Sequence, residues 1–196
     1  MELLYRASRD GWQCQDFHSR CDNKGATVTV IKCTGGFVFG GYADAPWHSG
    51  NSYTTSARAF LFSLHSPSGV GPVKLPLVQH HQHAIYCNAS YGPTFGAGSD
   101  LRVANCANMR SGRYAATYGP TFGGGRQHDL HVANSANINN NSYTNFGHTY
   151  QLPPGQSAAQ TFFTGGRHFR QLRWRCIRCS CSEDCTMYEP LAEPQQ

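Results

Sequence analysis

The sequence predicts a mainly β chain of the α+β class: a two-sheet antiparallel β-sandwich carrying one or two short helices. Three observations carry that reading. Charged residues make up 14% of the 196 positions, where about 25% is usual, so long charge-laced helices cannot dominate. There are 21 glycines, and the abundance of Gly, Ser, Thr, Asn, Tyr and Phe suits short strands joined by tight turns. Apolar residues alternate with polar ones in run after run, and only one run recurs at helical spacing. At about 100–200 residues per domain, this length makes one domain with room for a sizeable core.

In chain order, Leu3-Leu4-Tyr5 reads as the end of a strand that Ser8-Arg9-Asp10-Gly11 turns. Across 12–21, Cys14, Phe17 and Cys21 fall at i, i+3 and i+7, on one face of a helix, and Lys24-Gly25 closes it. Next, Thr27-Val28-Thr29-Val30-Ile31-Lys32 is an alternating β-branched strand with Val28 and Val30 on one face. Thr34-Gly35-Gly36 turns a hairpin, and Phe37-Val38-Phe39-Gly40-Gly41-Tyr42 returns until Pro46, which has no N–H to donate. A polar loop runs to Ser56, and Ala59-Phe60-Leu61-Phe62-Ser63-Leu64, apolar on both faces, predicts a central strand. Residues 65–83 hold Pro67, Pro72 and Pro76 and end in His80-His81-Gln82-His83, which predicts a long surface loop. Ala84-Ile85-Tyr86-Cys87 is a further strand.

The stretch that follows occurs twice. Tyr91-Gly92-Pro93-Thr94-Phe95-Gly96 and Asp100-Leu101-Arg102-Val103-Ala104-Asn105 return as Tyr118-Gly119-Pro120-Thr121-Phe122-Gly123 and Asp129-Leu130-His131-Val132-Ala133-Asn134. Each unit, 91–114 and 118–143, supplies a turn and one half-buried strand, too little to hold a core alone. Two copies fall short of the three or more that solenoids need, so this is a local duplication inside one domain. One copy is expected to occupy the strand position while residues 97–117 bulge out or add an edge hairpin. Gly147-His148-Thr149-Tyr150-Gln151-Leu152 then alternates, and Thr161-Phe162-Phe163 and 169–177 supply the last apolar positions, with Leu172, Trp174 and Cys176 on one face. The domain is thus expected to span 1–177, and the acidic, Cys- and Pro-containing tail 178–196 to fray.

Composition also limits function. Net charge is +5, concentrated only at Arg167, Arg170, Arg173, Arg175 and Arg178, with no recognisable nucleic-acid module, so no nucleic-acid partner is expected. No apolar run approaches the roughly 18 residues of a membrane span, and no basic-then-apolar leader opens the chain. Of nine cysteines, five lie dispersed in apolar or alternating contexts, which fits small buried hydrophobes in a reduced, cytoplasmic setting. No G-x-S-x-G elbow and no phosphate-binding fingerprint is present, and the acidic residues are scattered at turns, so no catalytic group is assigned and no enzyme is expected. The sharpest constellation is Cys176-x2-Cys179-x-Cys181-x3-Cys185, four thiols that could hold zinc tetrahedrally. His80, His81 and His83 stand at i, i+1 and i+3, which does not bring three rings to one point.

Several motifs together resemble the TLDc domain. They are Leu4-Tyr5-Arg6-Ala7-Ser8-Arg9-Asp10-Gly11-Trp12, Phe17-His18, Cys21-Asp22-Asn23-Lys24-Gly25, Thr27-Val28-Thr29-Val30-Ile31-Lys32, Phe39-Gly40-Gly41-Tyr42, Pro46-Trp47, Ala59-Phe60-Leu61-Phe62-Ser63-Leu64 and Tyr91-Gly92-Pro93-Thr94-Phe95-Gly96, in family order. The resemblance implies a two-sheet sandwich with few helices and a non-catalytic protein-interaction module. It also implies binding to the vacuolar proton-pumping ATPase and a link to protection against oxidative stress. A TLDc domain has one Tyr-Gly-Pro-Thr-Phe-Gly unit rather than two, and the cysteine tail has no family counterpart. The competing readings are a thiol-based redox protein and a zinc-binding interaction tail on a structural domain.

Overall fold

The computed structural model describes residues 1–96, 150–156, 161–165 and 172–179 in full, and 101–104, 130–132, 142–144, 168–169 and 171 as strand backbone. In order these form β1 (Glu2–Arg6), α1 (Ala7–Asp10), α2 (Cys14–Cys21), β2 (Thr27–Cys33), β3 (Val38–Ala43), β4 (Ser52–Thr54), β5 (Phe60–His65), β6 (Val73–Pro76), a 3-10 turn (His81–His83), β7 (Ile85–Cys87), β8 (Tyr91–Phe95), β9 (Leu101–Ala104), β10 (Leu130–Val132), β11 (Ser142–Thr144), β12 (His168–Phe169) and β13 (Gln171–Arg178). Two sheets result, ordered β1-β13-β2-β3-β5-β6 and β12-β11-β10-β9-β8-β7-β4. Pairing is antiparallel throughout except between β9 and β10. No described helix is long and apolar enough to cross a membrane.

The core lies between the sheets. Ile31, Cys33, Phe39, Leu61 and Leu75 of the six-stranded sheet meet Ile85, Cys87 and Phe95 of the other. The β3 glycines make that contact close. A Cβ on Gly41 would stand 2.7 Å from the Phe95 ring on the inner side, and one on Gly40 would strike the Thr29 carbonyl oxygen and come within 2.9 Å of the Phe62 ring on the outer side. A backbone carbonyl held in a sheet ladder cannot swing away, so Gly40→Ala is expected to destabilise the fold by about 1–3 kcal/mol in a urea titration.

Helix α2 closes one end. Its apolar positions Cys14, Phe17 and Cys21 are buried, as the spacing predicts, and His18 joins them. Gln13 and Asp16 form a reciprocal cap at its start, which satisfies donors that a helix leaves open. The left-handed residue after it is Asn23, φ 59°, rather than Gly25 directly, because Asp22 is the C-cap and asparagine tolerates that region. Just before it, Asp10 accepts from the Arg6 N–H and from Arg9, 2.8 Å each. The bond from Arg9 dominates in holding the Asp10 carboxyl down at about 2, with Arg6 and Arg20 adding to it against the opposing effect of burial. A carboxyl whose folded pKa is depressed stabilises above its unfolded value near 3.9 and loses that contribution as pH falls through the folded one. Stability is therefore expected to drop between about pH 4 and about 2, and Asp10→Asn to flatten that part of the pH profile.

Several expectations are corrected. Residues 65–83 are not all loop: Val73–Pro76 is the edge strand β6, where a proline removes no central ladder bond. Ser52–Thr54 forms β4 inside the supposed polar loop. The segment 169–177 is not one strand, since Phe169 ends β12 in one sheet and Gln171 begins β13 in the other. Leu172 does not share the buried face of Trp174 and Cys176; it is 44% exposed, because the β13–β2 register shifts between Gln171 and Arg173. Within 147–152 the described residues show only an isolated bridge from Tyr150 to Leu77.

The duplicated strands also depart from expectation. The Leu-x-Val strand of neither copy lies at the rim: β9 and β10 are neighbours inside the seven-stranded sheet, while 97–100 and 105–117 of the expected bulge lie outside the described residues. They pair parallel, with His131 beside Arg102 and Val132 beside Val103, which sets each residue against its counterpart in the repeat. A parallel neighbour needs a return connection of about a dozen residues or more, and the sequence between them supplies one. Phe122 and the rest of 118–123 lie outside the described residues.

Candidate interaction surface

The second sheet ends in a short edge. Among the described strands β4 pairs with β7 alone, Tyr53 opposite Tyr86, so both rings stand on the face turned away from Ile85 and Cys87 in the core. Their centroids are 4.8 Å apart. The His83 ring lies 4.4 Å from Tyr53, His80 lies 6.2 Å from His83, and Tyr91 lies 6.2 Å from Tyr86. Tyr53 is 41% exposed. The result is an aromatic array on an outer sheet face, anchored below by the sandwich. Tyrosine contributes large contact area with few rotors and keeps a polar tip, which is why it recurs in binding surfaces.

A polar network fixes the rim. Asn51, in the left-handed region at φ 51°, accepts from the Tyr86 hydroxyl and from the Asn88 amide, the latter at 2.6 Å. The Ser90 N–H donates to Asn88 Oδ1 at 2.8 Å. Beneath it sits His18, 7% exposed. Its Nδ1 faces Asp22 at 2.7 Å, and its Nε2 faces the carbonyls of Asn88 at 3.0 Å and Tyr91 at 2.8 Å. Neutral imidazole donates from one nitrogen only, so all of these are hydrogen bonds when both nitrogens carry protons. Ser49 donates to the other Asp22 oxygen at 2.8 Å. Helix α2 is thereby tied to the turn that presents Tyr91.

The thiols are placed differently. Among the described residues Cys14, Cys21, Cys33, Cys87, Cys176 and Cys179 are buried and in no disulfide. The Cys21 thiol is pushed up by its hydrogen bond to Cys176, then by burial and the Asp22 charge. Burial pushes Cys33 up to about 11 and raises Cys87, against weaker opposing bonds. All three shifts disfavour the thiolate that redox chemistry needs. Of the predicted zinc set, Cys176 lies in the core between the sheets and Cys179 in a separate cluster on the other face of β13, while Cys181 and Cys185 lie outside the described residues. Among the described residues no three His, Cys, Asp or Glu side chains gather as a metal site, the His80, His81 and His83 group included.

Sequence reasoning passed over Tyr53 because three residues are too few to show a period. One signal was there: Asn-Ser-Tyr-Thr occurs at 51–54 and again at 141–144, and both become strands of the same sheet.

A family model described as the TLDc domain matches residues 1–166. The chain is also similar to the MTOR-associated protein MEAK7 of Gallus gallus, 29% identical over 86 residues, which is 44% of this chain and 18% of that protein. Similarity to the Danio rerio MTOR-associated protein MEAK7 is 29% over 62 residues, 32% of this chain and 14% of the relative. The match thus spans less than a fifth of either relative's length.

Proposed function

The chain belongs to the TLDc domain family, and from that premise we propose that it acts as a non-catalytic protein-interaction module whose contact surface is the tyrosine–histidine face of β4, β7 and β8. The observation that carries this reading is the array on an outer sheet face in which the exposed Tyr53 stands against the half-buried Tyr86, His83 and Tyr91 rings. The upward-shifted, buried thiols support it over the thiol-redox reading. The partner we propose is the vacuolar proton-pumping ATPase, with a cytoplasmic role in protection against oxidative stress, as the family resemblance implies. The name of the MEAK7 relatives, MTOR-associated, supports MTOR as a second partner.

Binding of the chain to the purified peripheral sector of the pump tests the proposal. The double variant Tyr53→Ser/Tyr86→Ser is expected to raise Kd by at least about tenfold, or ~1.4 kcal/mol, under conditions where its urea titration shows the chain still folded. An unchanged Kd would remove this face from the interface. Failure of the parent chain to bind would remove the pump as partner.

A further inference from the structure

His18 is a buried titratable side chain with hydrogen-bond acceptors on both sides of its ring. It lies on α2 and is 7% exposed. Its Nδ1 stands 2.7 Å from an Asp22 oxygen, and its Nε2 stands 2.8 Å from the Tyr91 carbonyl and 3.0 Å from that of Asn88. A carboxylate and a backbone carbonyl only accept. A neutral imidazole carries one N–H, so it serves one side and turns a lone pair towards oxygen on the other, whereas the imidazolium serves both.

The surroundings decide which side gives way. From α2 and its C-cap come the Asp22 carboxylate and the Phe17 ring, the latter 5.1 Å away between centroids. From the segment after β3 comes the Ser49 hydroxyl, which holds the other Asp22 oxygen at 2.8 Å. From the turn between β7 and β8 come the carbonyls of Asn88 and Tyr91. The other ionisable groups nearby are engaged elsewhere or face Asp22: Arg20 pairs with Asp10 at 3.6 Å, Asp16 accepts from the Gln13 N–H, His48 bonds Thr54, and the Cys21 and Cys87 thiols respond to the Asp22 charge. Among the described residues no Lys, Arg or second His bonds the ring. A hydrogen bond to an ionised acceptor is roughly twice as strong as one between neutral groups. Nδ1 therefore keeps its proton towards Asp22, and Nε2 is the nitrogen that gives one up.

We propose that His18 is a proton-gated clasp. With both nitrogens protonated it fastens the turn 88–91 to α2; loss of the Nε2 proton unfastens the turn while the bond to Asp22 stays. That turn sets the rim of the tyrosine–histidine face. The Asn88 amide donates to Asn51 at 2.6 Å, the Ser90 N–H donates to Asn88 Oδ1 at 2.8 Å, and the Tyr91 N–H donates to the Asn88 carbonyl at 3.0 Å. The Tyr91 ring stands 6.2 Å from Tyr86. The fastened turn holds Tyr91 in the array, and the unfastened one frees it. Binding through this face is thus strengthened by acid and weakened as pH rises over about pH 5–8, the interval in which histidine side chains change charge. This consequence rests on the face being the contact surface; the clasp itself does not.

Two readouts on the free, unaltered chain test the clasp. Nitrogen-15 NMR of the labelled imidazoles over about pH 5–8 is expected to show His18 Nε2 becoming a bare lone-pair nitrogen while Nδ1 keeps its N–H. Amide-exchange protection at Ser90 and Tyr91, corrected for the intrinsic pH dependence of exchange, is expected to fall several-fold along the same titration curve, with the β2–β3 hairpin unchanged. A ring that loses its proton from Nδ1, or keeps one protonation state over that interval, would overturn the proposal. So would protection that stays level as His18 titrates, or that follows the curve of His48 or His83 instead. Neither readout involves a partner, so the clasp and the proposed interface fail separately.

Discussion

Phe17→Ala is expected to lower the unfolding free energy by about 3–5 kcal/mol. Phe17 is fully buried, and its ring meets Tyr5 at 5.8 Å, Trp174 at 5.4 Å, Trp47 at 6.0 Å and His18 at 5.1 Å. Those four come from β1, β13, the segment after β3, and α2 itself, so one ring joins the helix to the β1–β13 side of the six-stranded sheet and to the segment after β3. Truncation removes the ring's transfer free energy and leaves a cavity that rigid aromatic neighbours cannot collapse. Against a typical total of about 5–15 kcal/mol, that is a large share. Thermal unfolding followed by calorimetry is expected to show a midpoint lower by on the order of 10 °C. A shift of a degree or two would mean that α2 is a peripheral attachment.

The second large effect is expected at His18. His18→Ala leaves the Asp22 carboxylate without its ring partner and the carbonyls of Asn88 and Tyr91 without a donor. Unsatisfied buried acceptors cost about 1–3 kcal/mol each, and a charge stripped of its partner more. Asp22 keeps the Ser49 hydroxyl and is 18% exposed at its side chain, so the expected loss is about 2–4 kcal/mol in total. The local consequence separates this from a general weakening of the core. Because His18 ties α2 to the turn before β8, amide exchange is expected to accelerate first at 88–91. Exchange that rises evenly over all strands would show that the histidine does not anchor that turn.

Much of the fold is legible in the sequence where a pattern is long enough to be unambiguous. The β2–β3 hairpin, with its β-branched alternation and Gly35-Gly36 turn, falls where the periodicity places it, and so does α2 with Cys14, Phe17 and Cys21 inward. What escapes is short or non-local. β4 has three residues, and β6 contains a proline that only an edge position tolerates. The division of 169–177 between two sheets depends on which distant strands β12 and β13 find, namely β11 on one side and β1 and β2 on the other. Parallel pairing of the duplicated strands is likewise a long-range choice that no local alternation encodes. The tyrosine–histidine face needs all of these at once, since Tyr53, His83, Tyr86 and Tyr91 come from separate segments that the sheet edge assembles. Cys176 and Cys179, three apart in sequence, show the reverse: adjacency in the chain becomes separation when strand alternation sends them to opposite faces.

Hydroxyl-radical footprinting of the intact chain, alone and with the purified peripheral sector of the pump, tests the central claim most directly, because it reads every aromatic side chain without altering one. The predicted result is protection concentrated on Tyr53, His83, Tyr86 and Tyr91, with the oxidation of other exposed residues such as Leu3 and Leu172 unchanged. Protection centred elsewhere, with the four rings as reactive in the complex as in the free chain, would contradict it.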